Sequence, residues 1–314
     1  MSRSPREAAL AALLGYPPEG LVPTFELEFQ LTEEFFGRRW FRAEAFANQS
    51  AAERDRLLSE IADAYCACYD ALDYCILFET RAPDDEGRLE VVRRVRQQVG
   101  ERYLYLCHGD ATYGIPNGGN MVDFTVALFE RPDEMKRQAE AMVEAALARG
   151  RRLLDGGYDG FILCTDYCFN TGPFLSPPMF AEFVRPYLQQ LIQGYRAMGA
   201  YVIKHTDGNI MPILDDLVSA GPHGIHSLDP QGGVDIAEVK ARIGERLCLI
   251  GGVNCGLLQT GSDQECRDDI LRTLRYGMPG GRYILSTSNV AFRGMPPERY
   301  RMLLDLRREY GRYS

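Results

Sequence analysis

The sequence has no excess of basic charge, no long apolar run, no matched cysteine pairs and no linker, and each absence removes a class of function. Lysine and arginine number 35 against 44 acidic residues, a net charge of −9. Phosphate binding needs a basic surface, so this composition argues against a general nucleic-acid binder. It also disfavours an anionic membrane surface as partner. The apolar run near the N-terminus, Ala8 to Leu14, follows Glu7 and is too short and wrongly flanked for a signal peptide or a membrane span. It reads as an amphipathic helix. The nine cysteines, at 66, 68, 75, 107, 164, 168, 248, 255 and 266, are odd in number and sit mostly inside apolar runs. Buried free thiols in a reducing cytoplasm explain them. Cys66-Ala-Cys68 and Cys164-Thr-Asp-Tyr-Cys168 have no matching second pair, which argues against a four-cysteine zinc site. Nothing of low complexity and no internal repeat divides the 314 residues, a length that suits one large domain or two small ones.

What is present is a regular alternation of strands and helices. Short, mostly apolar strands begin near 22, 74, 103, 159, 201, 224, 247 and 283, and helical spacing follows them. Such runs suit strands buried on both faces. The helices include 53–72, 86–99, a long region 121–150 broken at Pro132, and one opened by Ser176-Pro-Pro with a kink expected at Pro186. Eight β/α units predict a closed (β/α)8 TIM barrel over 21–314, preceded by a helical extension over 1–20.

In such a barrel the chemistry lies at the C-terminal ends of the strands. Tyr201-Val-Ile-Lys-His-Thr-Asp-Gly-Asn209 is the most informative stretch: a buried strand would end at His205 and present Asp207 beside it. The other ends carry Glu26, Glu28, Glu79, His108, Asp110, Asp166, His226, Asp229, Asn254, Cys255, Ser288 and Asn289. Histidines and carboxylates on one rim suit a metal held by oxygen and nitrogen. Polar turns and helix caps are the plain alternative, because strand ends always meet polar turns.

Lys204-His-Thr-Asp-Gly-Asn-Ile210, His226-Ser-Leu-Asp-Pro-Gln-Gly-Gly233, Leu249-Ile-Gly-Gly-Val-Asn254, Ile284-Leu-Ser-Thr-Ser-Asn289 and Gly294-Met-Pro-Pro-Glu-Arg-Tyr300 resemble, in order and spacing, the uroporphyrinogen-decarboxylase superfamily. The likeness runs over roughly 150–310 and is thin before that. It implies a β/α barrel that is either a decarboxylase or a methyltransferase working with a corrinoid protein. The decarboxylase carries an Arg-Gln-Ala-Gly-Arg motif in its first loop. Here that region reads Phe25-Glu-Leu-Glu-Phe-Gln-Leu-Thr-Glu-Glu34, where a polycarboxylate substrate would meet repulsion instead of arginine clamps. The thiol-alkylating methyltransferases hold zinc on His-x-Cys and a late cysteine. Here the first part is His205-Thr-Asp207 and the late position falls near Ser288. Loss of both thiolates leaves zinc a harder Lewis acid, suited to an oxygen leaving group.

The resemblance therefore implies the branch that moves a methyl group from a methoxylated donor to the cobalt of a corrinoid protein. Its zinc sits on two acids and a histidine, matched in order by Asp166, Glu182 and His205. Glu182 also reads as a solvated residue, since it lies off the apolar stripe of its helix. His108 and Asp207 are candidate proton donors. Glu26, Glu79, His226, Asn254, Cys255 and Asn289 are candidate substrate contacts, although His226 reads equally as a loop tie and Cys255 as a metal ligand. The expected partners are a corrinoid protein and a small-molecule methyl donor, with zinc as cofactor. A metal-free lyase of the same superfamily is the alternative, in which rim acids and histidines protonate a carbanion after loss of carbon dioxide.

Overall fold

The structure, a computed structural model, describes residues 3–38 and 43–313. Seven parallel strands form one curled sheet: β1 Ile76–Glu79, β2 Leu104–His108, β3 Gly160–Leu163, β6 Tyr201–His205, β7 Gly224–Ser227, β8 Cys248–Gly251 and β9 Tyr283–Ile284, hydrogen-bonded in that order. A small antiparallel hairpin, β4 Cys168–Phe169 and β5 Gly172–Pro173, lies between β3 and β6 in the chain. The apolar runs of the sequence mark the seven strands because helices cover the outer face and side chains fill the inner one, so neither face meets water.

The strand expected from residue 22 is a single-residue bridge. Thr24 pairs in parallel with Tyr74 on one side and with Leu285 on the other. The Cys75 N–H donates to the Thr24 carbonyl, and the Phe25 N–H to the Leu285 carbonyl. Pro23 has no N–H to give, which shortens the ladder there. Thr24 nevertheless touches the β1 side and the β9 side of the sheet.

Strand periodicity divides the core in two. Ile76, Phe78, Leu104, Leu106, Ile162, Ile203, Cys248, Ile250 and Ile284 form one cluster inside the curl. Val202, Ile225 and Leu249 join a second cluster with the helices. The N-terminal helix Pro5–Leu14 closes the inner cluster from below: Ala9, Ala12 and Leu13 pack into it, and the Arg6 N–H donates to the Arg102 carbonyl just before β2. Its start is well specified. Ser4 and Glu7 form a capping box around Pro5, and Gly15 ends it in the left-handed region at φ 75°.

Two expected long helices are each two. The region after the Gly-rich loop splits into Met121–Glu130 and Pro132–Asp155, with Pro132 opening the second. The helix opened by Ser176 ends at Phe183, and Arg185–Ala197 follows; Pro186 ends the first instead of kinking a continuous one. All nine cysteines are free thiols. Among the described residues no helix is long and apolar enough to cross a membrane.

Candidate metal centre

On β6 the alternation that places Ile203 inside the curl places His205 there too, and puts Lys204 on the opposite side. At the strand end His205 is 4% exposed. Its Nε2 lies 3.8 Å from Asp166 Oδ1 and 3.7 Å from Asp207 Oδ1. Both distances are too long for a hydrogen bond. One ligand atom from each of the three lies within 4.8 Å of the others. Ligand atoms around a tetrahedral zinc stand about 3.4 Å apart. An imidazole nitrogen and two carboxylate oxygens at these spacings therefore fit a hard divalent cation, and nothing in the set is soft.

Each of the three candidate ligands is held by neighbours. Asp166 Oδ1 accepts the Asp207 N–H at 3.0 Å, which ties the β3 loop to the β6 loop. The Tyr167 N–H donates to Thr206 Oγ1 at 2.9 Å and makes the same tie again. Asp207 accepts from Ser227 Oγ at 2.8 Å and from the Asn289 amide. Gly208, next in the chain, stands at φ +76°, and a Cβ there would come within 2.6 Å of the Phe169 carbonyl. Only glycine lets the β4–β5 hairpin press so closely against the Asp207 turn.

Behind the ligands lies a buried ion pair. Lys204 is fully buried, and its Nζ donates to Asp110 Oδ2 at 2.8 Å, the Thr165 carbonyl at 2.8 Å and the Leu163 carbonyl at 3.3 Å. Asp110 also accepts from the Thr165 N–H and from Ala111 and Thr112. Three strand ends thus meet on one ammonium: the β2 loop through Asp110, the β3 loop through Thr165 next to Asp166, and β6 itself.

The electrostatics suit a cation. Burial, then the neighbouring His226, Lys204 and His108, holds His205 well below the usual imidazole range, so the ring is neutral. Burial, then the facing Asp166, pushes Asp207 up to about 7. Without a cation the two carboxylates repel each other across the site. Asp207 therefore works against folding as pH rises above the unfolded carboxyl value of about 4, and more so toward 7. Asp207→Asn is expected to raise the melting temperature of chelator-treated protein at pH 8, with the gain shrinking toward pH 4. Added zinc should stabilise the parent chain and not the variant. Thermal melts with and without chelator check both.

The other expected residues separate clearly. Glu182 is not brought to the cluster, a correction to the expected ligand set. Its helix, Pro177–Phe183, turns Phe180 and Phe183 into the core, and the Glu182 carboxylate takes an ion pair from Lys136 at 2.6 Å on the surface. Asp207, expected as a proton donor, takes the third place. His108 lies on the inner side with its ring against Phe78, 4.6 Å between centroids. Burial, then Arg88 and Arg149, drives it down to about 4. It is therefore neutral near pH 7 and carries one ring N–H.

Glu26 is fully buried, pushed up to about 7 by burial, and accepts from Thr287 and Tyr300, so it ties the first loop to the last instead of facing a substrate. Glu79, also buried and raised to about 7, accepts the Arg81 and Ala82 N–H groups at 2.6 and 2.7 Å. Asn254 caps the helix Cys255–Thr260 through the Gly256 and Leu257 N–H groups. Cys255 is buried beside Ser288 and Val290 and is not part of the three-ligand group. Asn289 touches Asp207, and His226 touches His205. Ser227 and Lys204 are members of the site that residue type alone does not reveal. A serine at a strand end is commonplace, and a lysine inside an apolar run is visible as odd but names no partner.

Comparison with known proteins follows the same lines. The family model described as Uroporphyrinogen decarboxylase (URO-D) matches residues 111–310. A methyltransferase from Methanosarcina mazei is 17% identical, with 98% of this chain and 99% of that chain covered at a TM-score of 0.77. At that identity the likeness concerns the fold alone. A GH5_18 protein from Bifidobacterium longum subsp. infantis is 11% identical over 94% of this chain and 80% of that one, at a TM-score of 0.46, and carries no argument. Among curated proteins nothing matches the chain.

Proposed function

Because the chain belongs to the uroporphyrinogen decarboxylase family, we propose that it is a methyltransferase of that family, moving a methyl group from an oxygen-bound small-molecule donor to the cobalt of a separate corrinoid protein. The observation that carries this reading is the ligand set: one imidazole and two carboxylates, Asp166, His205 and Asp207, with no thiolate among them. The likeness in fold to the Methanosarcina methyltransferase along nearly its whole length agrees with it. We read the curled sheet as a (β/α)8 barrel closed through Thr24, and the protein as a cytoplasmic enzyme.

Zinc bound here would supply Lewis acidity to the oxygen that leaves as the methyl group is taken. The chain's residues do the rest. The two carboxylates provide the negative charge that holds a dication, and the neutral His205 adds a ligand without charge repulsion. Ser227 and Asn289 fix the Asp207 carboxylate so that it is aimed before the cation arrives. The Asp166 side chain is 44% exposed, which leaves the centre open to a donor and a partner from the rim side. The decarboxylase alternative gains no arginine from the first loop, whose Glu28 is instead paired with Arg81 of the loop after β1.

Mixing the purified protein with reduced cobalamin and a panel of methoxylated donors tests the reading. Methylcobalamin is expected to form with at least one donor, to stop in chelator and to return with zinc. Failure with every donor by a zinc-loaded protein would overturn it.

A further inference from the structure

We infer that His226 is a positioning residue: it fixes the tautomer of His205 so that a ring-nitrogen lone pair, and not an N–H, faces Asp166 and Asp207. The inference rests on reading those three residues as a metal centre.

The register of β6 and β7 sets His205 directly against His226, and the period of two turns both side chains into the curl. Their Nδ1 atoms are 2.8 Å apart, with ring centroids 5.0 Å apart. Two ring nitrogens at that distance share one proton. Two protons would collide, and none would leave lone pair against lone pair. The question is which ring owns the proton, and the far nitrogens of the two rings answer it together. Its Nε2 lies 3.3 Å from Ser286 Oγ. That hydroxyl can accept from a His226 Nε2–H, whereas a His205 Nε2–H would face oxygens no nearer than 3.7 Å, so the arrangement in which every buried N–H is satisfied puts the hydrogens on His226 Nε2 and His205 Nδ1.

A neutral His226 protonated at Nε2 has a lone pair at Nδ1. His205 must then donate from its own Nδ1, and its Nε2 is bare. That atom has the Asp166 and Asp207 oxygens at 3.8 and 3.7 Å. The opposite tautomer would place an N–H there with no acceptor within reach and would block a cation. The buried chain Ser286–His226–His205 therefore carries the constraint to the metal ligand. It also gives His226 a use that burial denies it as a substrate contact.

Two measurements on the full chain test this. Imidazole nitrogen NMR of metal-free protein is expected to show His205 as the Nδ1–H form, and as a mixture or the other form in His226→Leu. Zinc titration against a competing chelator is expected to show His226→Leu about 10–100-fold weaker than the parent. His226→Asn, whose side-chain oxygen can stand where Nδ1 stood, should recover most of that loss. Should His226→Leu fail to fold, Ser286→Ala removes only the far acceptor and is expected to weaken zinc by about 3–10-fold. An Nε2–H form of His205 in the parent would overturn the inference. So would equal zinc affinity in the parent and a folded His226→Leu. A parent chain that binds no zinc would instead sink the metal reading, while the NMR result still decides the tautomer.

Discussion

His205→Ala is expected to weaken zinc binding by on the order of 10²–10³-fold and to stop methyl transfer, whereas Glu182→Ala leaves both within about twofold. The magnitude follows from a whole zinc site contributing roughly 10–16 kcal/mol, of which one of four ligands carries about a quarter. His205 is the only neutral ligand of the three, so no carboxylate can take its place without adding charge to a site where Asp207 is already strained against Asp166. Asp166→Ala and Asp207→Ala should fall in the same range as His205→Ala. Glu182 lies on the surface, paired with Lys136, and surface ion pairs contribute little. Zinc content after dialysis and competitive titration separate the two ligand sets directly. A large loss in Glu182→Ala with retained binding in Asp207→Ala would restore the set that residue order alone implied.

Lys204→Met is expected to cost the fold about 3–5 kcal/mol, the usual penalty for leaving one member of a buried ion pair without its partner. Asp110 would lose its counter-ion in a place where Lys204 is wholly buried and Asp110 nearly so. Burial by itself would raise the Asp110 carboxyl; the Lys204 charge and hydrogen bond, with the Thr165 N–H and the Thr112 hydroxyl, outweigh it and hold the group below its ordinary value. A carboxyl depressed in the folded state stabilises at pH above its unfolded value of about 4, and that contribution disappears as pH falls through the lower folded value. The parent should therefore lose stability in acid more steeply than a Lys204→Met/Asp110→Leu double variant. The double variant, with both charges gone, should recover much of the loss. Because Thr165 adjoins Asp166, the single variant should also bind zinc more weakly than its residual stability alone explains. Denaturant melts between pH 3 and pH 8, paired with zinc titrations, measure both effects. A single variant as stable as the parent would show that the pair is not a structural hub.

Local signals carried much of this protein. Apolar runs of four or five residues located seven strands, because a parallel sheet covered on both faces leaves few polar positions inside a strand. The same runs placed His205, His108 and His226 at strand ends. Resemblance over the second half named the family and drew attention to the acid in place of a thiolate at Asp207. The first of the eight expected strands is the exception: Leu21 to Glu28 alternates as a strand should, but Pro23 removes a donor and the pairing is reduced to isolated bridges, two of them at Thr24.

What tertiary structure alone decided is which side chains meet. Glu182 and Asp207 are both acids near the expected positions. Only the packing of Phe180 and Phe183 sends Glu182 to the surface, and only the Ser227 and Asn289 contacts aim Asp207 at His205. The pairing of His205 with His226 depends on the register between β6 and β7. That of Lys204 with Asp110 joins residues 94 positions apart. A sequence records its periodicity within each element, which burial enforces locally. Register and loop-to-loop contact are settled only when the sheet curls and brings the strand ends onto one rim.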